Sequence, residues 1–197
     1  MISIKDFTDA LCAISEQDFT DQRIVDFLRL NPVDIESLSP YLYFSHERYT
    51  RNLICRTPLF ELLAICWESG QYSTIHNHHN QKCWMTVAYG VIEIQDFKLV
   101  HKDANNSSCH LEPTKHSIID TTHPSKIDTE ESIHRMSNLS SFGSRTVTLH
   151  IYSRPFDRCE VYNVKDGSYK LVNLINTSEF SILKLGIPTQ KISLSAT

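Results

Sequence analysis

Glycine and proline are scarce in this chain, five and seven residues of 197, so nothing in it reads as a linker between domains. A basic excess is missing too. The net charge is −4 with histidine neutral, which leaves no electrostatic footprint for nucleic acid or an anionic membrane surface. No apolar run reaches membrane-spanning length; the longest, residues 59–67, is interrupted by Glu61. The opening Met-Ile-Ser-Ile-Lys-Asp-Phe meets Lys5 and Asp6 before any apolar stretch develops, unlike a secretory signal. The six cysteines (12, 55, 66, 83, 109 and 159) form no CxxC pair and follow no regular spacing. Reduced thiols in a cytoplasmic protein are therefore expected, not a disulfide framework. What is plentiful is histidine, ten residues of it. His46, His101, His110 and His123 sit in polar surroundings that suggest solvated surface.

Taken in order, the chain begins helical. Ile4, Phe7, Leu11 and Ile14 recur at helical spacing over residues 3–17, and Ser3 with Asp6 resembles a capping box. A second helix is expected from Asp21, with Ile24, Phe27 and Leu28 on one face, ending at Asn31-Pro32. A short helix fits residues 33–43. From Phe44 the texture turns to strands: 59–67, 84–89, 91–100, 117–121 and 145–153 are rich in β-branched and aromatic residues. Residues 101–113 are polar and read as a loop. Lys165-Asp166-Gly167 marks a hairpin between 161–164 and 169–174. Helices followed by many short strands predict a mainly β fold, a double-sheet jelly roll or small barrel with an α-helical appendage. The expected division of the single domain 1–197 is a helical segment over 1–43, a barrel over 44–175 and a tail over 176–197.

Two stretches carry chemistry. In the first, Gly70 is followed by five residues, His76-x-His78, four residues, Cys83, and six more to Gly90. On an extended strand, residues two apart point to the same face, so His76 and His78 could grip one metal ion while the adjacent His79 points away. This frame resembles the first motif of the cupin superfamily, with Cys83 where a Glu usually stands. The second cupin motif ends in His, three residues and Asn. Here that reads His134-Arg-Met-Ser-Asn138, which makes His134 the third ligand; Thr129-Glu-Glu131 replaces the usual Pro-x-Gly. Three neutral imidazoles leave a divalent metal its full charge and, if facial, three open positions. They suit iron, and they also suit zinc. In the second stretch, Arg145–Ser153, Val147, Leu149 and Ile151 alternate with Thr148, His150 and Tyr152. A polar face on so apolar a strand is costly unless it forms a hydrogen-bonded row.

Together His76-x-His78, Cys83, His134-Arg, Tyr49-Thr-Arg51-Asn and Thr148-Leu-His-Ile-Tyr-Ser-Arg-Pro-Phe-Asp-Arg-Cys159 resemble cysteine dioxygenase, a thiol dioxygenase of the cupin superfamily. The resemblance covers about Tyr49 to Cys159. It implies Fe(II) held by His76, His78 and His134. Arg51 would hold the substrate carboxylate, with Tyr49 in support. L-cysteine would bind the metal through thiolate and amine, and both atoms of O2 would pass to sulfur, giving cysteine sulfinic acid. The resemblance also implies that Tyr152 acts near the reacting atoms, oriented by His150 and Thr148, and joins Cys83 in a thioether. Two departures stand out. Thr148 replaces the usual Ser and keeps the hydroxyl. Arg154 stands where the family has the first of two prolines; a cis bond there costs more than before proline, by roughly 2 kcal/mol or more, so the sequence leaves that isomer open. Arg154 could also add positive charge near the substrate mouth.

Other readings remain. Cys83 and Trp67 each fit a core position as well as a site, and Arg51 fits a solvated charge. A dioxygenase of 3-mercaptopropionate or another small thiol is the nearest alternative; such enzymes usually carry Gln for Arg51 and Gly for Cys83. A non-catalytic, zinc-binding cupin is the alternative of a different class, and a Cys–His hydrolase built on Cys83 lacks family context. The expected partners are a small thiol and O2, with no nucleic acid or membrane, and the chain is expected to be a monomer.

Overall fold

The computed structural model describes residues 1–122, 126–128 and 132–179. His123, the Thr129–Glu131 stretch and residues 180–197 of the expected tail lie outside the described residues.

Two helices open the chain. In α1 (Ile4–Cys12), Ser3 caps the first turn by accepting from the Asp6 N–H, and Ile4, Phe7 and Leu11 are buried. In α2 (Asp21–Leu30), Thr20 caps and Ile24, Phe27 and Leu28 are buried. The helix expected over 3–17 stops at Cys12, because Ser15 turns extended and its hydroxyl donates to Asp18, opening a separate 3-10 turn at Glu16–Asp18. The short helix of 33–43 is a 3-10 helix, Ile35–Tyr41.

The strands are β1 (Thr50–Arg56), β2 (Glu61–Trp67), β3 (Ile75–Asn77), β4 (Lys82–Tyr89), β5 (Val91–Asp103) and β6 (Ser108–Asp120). They continue with β7 (Lys126–Asp128), β8 (Ile133–Ser137), β9 (Thr146–Ser153), β10 (Arg158–Asn163), β11 (Ser168–Asn173) and β12 (Ser178–Glu179). One sheet runs β12-β1-β2-β9-β4-β7; the other, β10-β11-β6-β5-β8-β3, closes on itself. This is a mainly β cupin barrel with N-terminal helices.

Strand β9 explains why the helices are there. Its alternation is real, but both faces are buried. Val147, Leu149 and Ile151 pack outward with Leu62, Ala64 and Trp84 against Phe7, Leu11, Ile24 and Phe27 of the helices. Tyr152 turns inward, to the cluster containing Leu63, Ile65, Trp67, Cys83 and Met85. The helices thus shield one face of the sheet and leave its other face to line the interior. Among the described residues no helix is long and apolar enough to cross a membrane.

Two expectations need correcting. Residues 101–113 are not a loop: β5 and β6 pair as far as Asp103 and Ser108 in a long hairpin. Its outer half is largely exposed, so it lacks the apolar alternation that would have marked it. Part of the expected tail is also structured, since Ser178–Glu179 pairs parallel with Asn52–Leu53 of β1. Gly90 makes the tight turn from β4 to β5 at φ +81°, where a Cβ would lie 2.5 Å from the Arg145 carbonyl oxygen.

Candidate metal and thiol site

Strand register assembles the interior into two rows. His76 on β3 lies opposite His134 on β8, which lies opposite Asp96 on β5. Facing them, Glu61 on β2, Tyr152 on β9, Cys83 on β4 and Asp128 on β7 are successive partners across four strands. Paired residues share a face of the sheet, so each row projects its side chains together.

The ligand atoms of His76, His78 and His134 all lie within 4.8 Å of one another. Their ring centroids are 4.8–5.5 Å apart. His76 belongs to β3, whereas His78 follows the strand's last residue, just before a turn in which His79 and Asn80 have positive φ. His79 lies in that turn and is exposed, so it is set apart from the buried His78 by the turn and not by strand alternation. His76 Nδ1 donates to the Thr74 carbonyl at 2.9 Å, which leaves Nε2 for an ion. His78 is 1% exposed, yet neither ring nitrogen has a hydrogen-bond partner among the described residues. A buried imidazole with nothing to bond is costly, and an ion among these rings would supply the bond. Burial first, and the nearby His134 second, push His76 down to about 3 and hold His78 well below the usual imidazole range. Both rings are therefore neutral, the form that ligates metal. The donor set fits a divalent ion such as iron(II).

Behind His134 stands a group that the sequence did not single out. Asp128 Oδ2 is 3.3 Å from His134 Nδ1, and both side chains are 2% exposed. A carboxylate there fixes the ring and directs its other nitrogen inward.

The polar row of β9 is continuous. Trp67 Nε1 donates to Thr148 Oγ1 at 3.1 Å, Thr148 Oγ1 is 2.9 Å from His150 Nε2, and His150 Nδ1 is 3.2 Å from Tyr152 Oη. Trp67, which fits a core position from sequence alone, anchors the row and stacks on Tyr49 at 4.5 Å. Burial, then Arg51, keeps His150 neutral by lowering its pKa well below the ordinary value. A neutral ring bonds Thr148 and Tyr152 in either tautomer, because each hydroxyl donates or accepts. Burial, then Cys83, raises Tyr152 well above the ordinary phenol value, so its hydroxyl keeps its proton. Cys83 Sγ lies 3.7 Å from the same His150 Nδ1, which brings thiol and phenol to one nitrogen.

Arg51 lies beside this group, its guanidinium 5.7 Å from the centre of the Tyr152 ring. It is not a solvated charge; its side chain is 13% exposed. Glu61, which in the sequence only interrupts an apolar run, is buried next to it. Arg154 does not bring its charge to the site. Its guanidinium pairs with Glu16 on the surface, and the Ser153-Arg154 peptide bond is cis.

Fold and site together define a cupin with three inward imidazoles able to hold a metal. The family profile described as Cysteine dioxygenase type I matches residues 3–165. The chain is 29% identical to human Cysteine dioxygenase type 1 over 143 residues, covering 72% of this chain and 69% of the human protein. With the rat protein of that name it shares 28% over 162 residues, 82% and 77% of the two chains. A double-stranded β-helix protein from Klebsiella pneumoniae is similar with a TM-score of 0.47 at 13% identity, covering 70% of this chain and 88% of that one. The chain belongs to the cysteine dioxygenase type I family and is a thiol dioxygenase of that family.

Proposed function

We propose that this protein adds both atoms of O2 to the thiol of L-cysteine, giving cysteine sulfinic acid, at an iron(II) centre held by His76, His78 and His134. The observation that carries the reading is the convergence of three clustered imidazoles with Arg51 and the Tyr152 row on one interior. Bound iron(II) would supply the redox chemistry that lets a thiolate react with O2.

The chain's own residues do the positioning. Arg51 holds the substrate carboxylate in a charge-assisted pair, and its Nε, which has no hydrogen-bond partner among the described residues, is a donor ready for it. Tyr49, held by the stack on Trp67, packs beside that clamp. Tyr152 presents a protonated hydroxyl toward the reacting atoms, and His150 and Thr148 fix its orientation. The burial of His78, His150 and Tyr152 would limit water around the reacting atoms. In the same reading Cys83 Sγ bonds to the Tyr152 ring as a thioether, with two hydrogens lost and two electrons passed to O2. The protein would work as a cytoplasmic monomer with residues 1–197 forming one cupin domain.

The test is O2 uptake and product analysis on iron-loaded protein with L-cysteine and, separately, 3-mercaptopropionate. Sulfinate from cysteine at the higher kcat/KM is expected. Faster turnover of 3-mercaptopropionate would move the assignment to that thiol, and no sulfinate from either would remove it.

A further inference from the structure

Each of the three imidazoles needs something to aim it. His76 has the Thr74 carbonyl and His134 has Asp128, whereas neither nitrogen of His78 has a hydrogen-bond partner among the described residues. The strand ladders do not reach it either. β3 pairs with β10 at Ile75 and His76 and with β8 at His76 and Asn77, and His78 lies one residue beyond. Its ring is therefore directed by whatever fixes the backbone around it.

That backbone is held by Asn77, whose side chain lies on the face of β3 opposite to His76. Asn77 Oδ1 accepts from the Glu160 N–H of β10 at 2.9 Å and from the His79 N–H at 3.3 Å. The first bond carries the β3–β10 pairing one residue past the ladder, and the second clasps the turn around His78. From the turn's other side, the His78 carbonyl accepts from the Gln81 N–H at 2.9 Å. Asn77 Nδ2 donates to Glu160 Oε2 and to Tyr162 Oη, both at 3.2 Å. A carboxylate can only accept, so Glu160 settles which end of the amide carries hydrogen and turns Oδ1 to the two backbone groups. Glu160 is itself fixed, by Tyr162 Oη at 2.7 Å and Lys102 Nζ at 2.5 Å. An amide with both ends occupied has little freedom to turn, so the constraint passes to the residue it flanks.

We propose that Asn77 is a positioning residue for the metal centre: its side chain, oriented by Glu160, holds the 76–79 segment so that the His78 imidazole points at the ion. This rests on the reading that His76, His78 and His134 bind iron(II). Asn77 touches neither metal nor substrate and acts through His78.

The test is metal binding without turnover. Asn77→Leu keeps nearly the same volume and removes every bond that the Asn77 side chain makes. Its affinity for iron(II), from competition with a chelator in oxygen-free buffer, should fall about tenfold, as for other groups that orient a ligand. The visible spectrum of the cobalt(II)-loaded variant should shift toward that of His78→Ala. Asn77→Ala should behave alike and serves if the leucine variant does not fold. Leu111→Val loses packing in the cluster that also holds Tyr162, but none of these bonds; it should be less stable than wild type and keep the wild-type affinity and spectrum. Wild-type affinity and spectrum in a folded Asn77 variant, or the same change in Leu111→Val, overturns the proposal. A wild type that takes up no iron(II) removes the metal site itself, and the positioning role with it. Because no turnover is read, a failure to form sulfinate counts against the reaction assigned above and not against Asn77.

Discussion

Replacing Thr148 by valine tests whether the row on β9 is a hydrogen-bonded unit or a coincidence of buried polar residues. Valine matches threonine in shape, so packing changes little, but the hydroxyl disappears. That leaves the Trp67 N–H and His150 Nε2 without the atom each now contacts at 3.1 and 2.9 Å. Trp67 is 1% and His150 2% exposed, so water does not replace it. Leaving a buried polar group unsatisfied costs about 1–3 kcal/mol, and two such groups give a loss of about 2–6 kcal/mol. In a domain of this size, each kcal/mol lowers the melting midpoint by about 2–4 °C. Thr148→Ser makes the complementary change: it keeps the hydroxyl and loses one methyl, at about 1 kcal/mol. Denaturant unfolding of the three proteins should therefore rank Thr above Ser above Val. If valine equals the wild type or exceeds serine, the row is not held by Thr148, and the orientation of Tyr152 needs another cause.

Asp128→Asn keeps the shape behind His134 but removes the negative charge, and should weaken iron(II) binding about 10–100-fold; a competition titration against a metal-sensitive chelating dye reads this, and unchanged affinity would show that the carboxylate does not support the ring. Acid should unfold the metal-free protein early. His78 and His150 are held neutral by burial with lowered folded pKa values, while their unfolded forms take up protons below about pH 6.5. Their contribution is complete above that pH and is lost as pH falls below it, by up to about 1.4 kcal/mol per pH unit for each ring. Denaturant midpoints that stay flat from about pH 7 to about pH 5 would contradict the burial of neutral imidazoles. For the thioether, intact-mass and peptide analysis after turnover should find two hydrogens missing between Cys83 and Tyr152, and Cys83→Ala should abolish that loss; full retention in the wild type would rule the link out.

The parts of this site that were legible in the sequence are those encoded locally. His76 and His78 are two residues apart, Thr148, His150 and Tyr152 alternate on one strand, and Gly90 punctuates a turn. Spacing along the chain fixes their relation, so a linear reading finds them. Asp128 and Glu61 were not legible. Their neighbours are 6 and 10 residues away in sequence, His134 and Arg51, but contact depends on which strand pairs with which, and at what register. A one-residue slip would turn either carboxylate to the other face. Glu61 read as a flaw in an apolar run because a buried carboxylate looks the same whether it is tolerated or used. The β5–β6 hairpin was missed for a related reason: its outer half has few buried residues on either face, so backbone pairing shapes it without imprinting an apolar pattern.

The most direct measurement of the central claim is the isotopic content of the product. Iron(II)-loaded protein is supplied with L-cysteine under an atmosphere of 18O2, and the product is read by mass spectrometry. A dioxygenase acting at the three-histidine site gives cysteine sulfinic acid with both sulfinate oxygens labelled. A product with one labelled oxygen, or cystine with none, would contradict it.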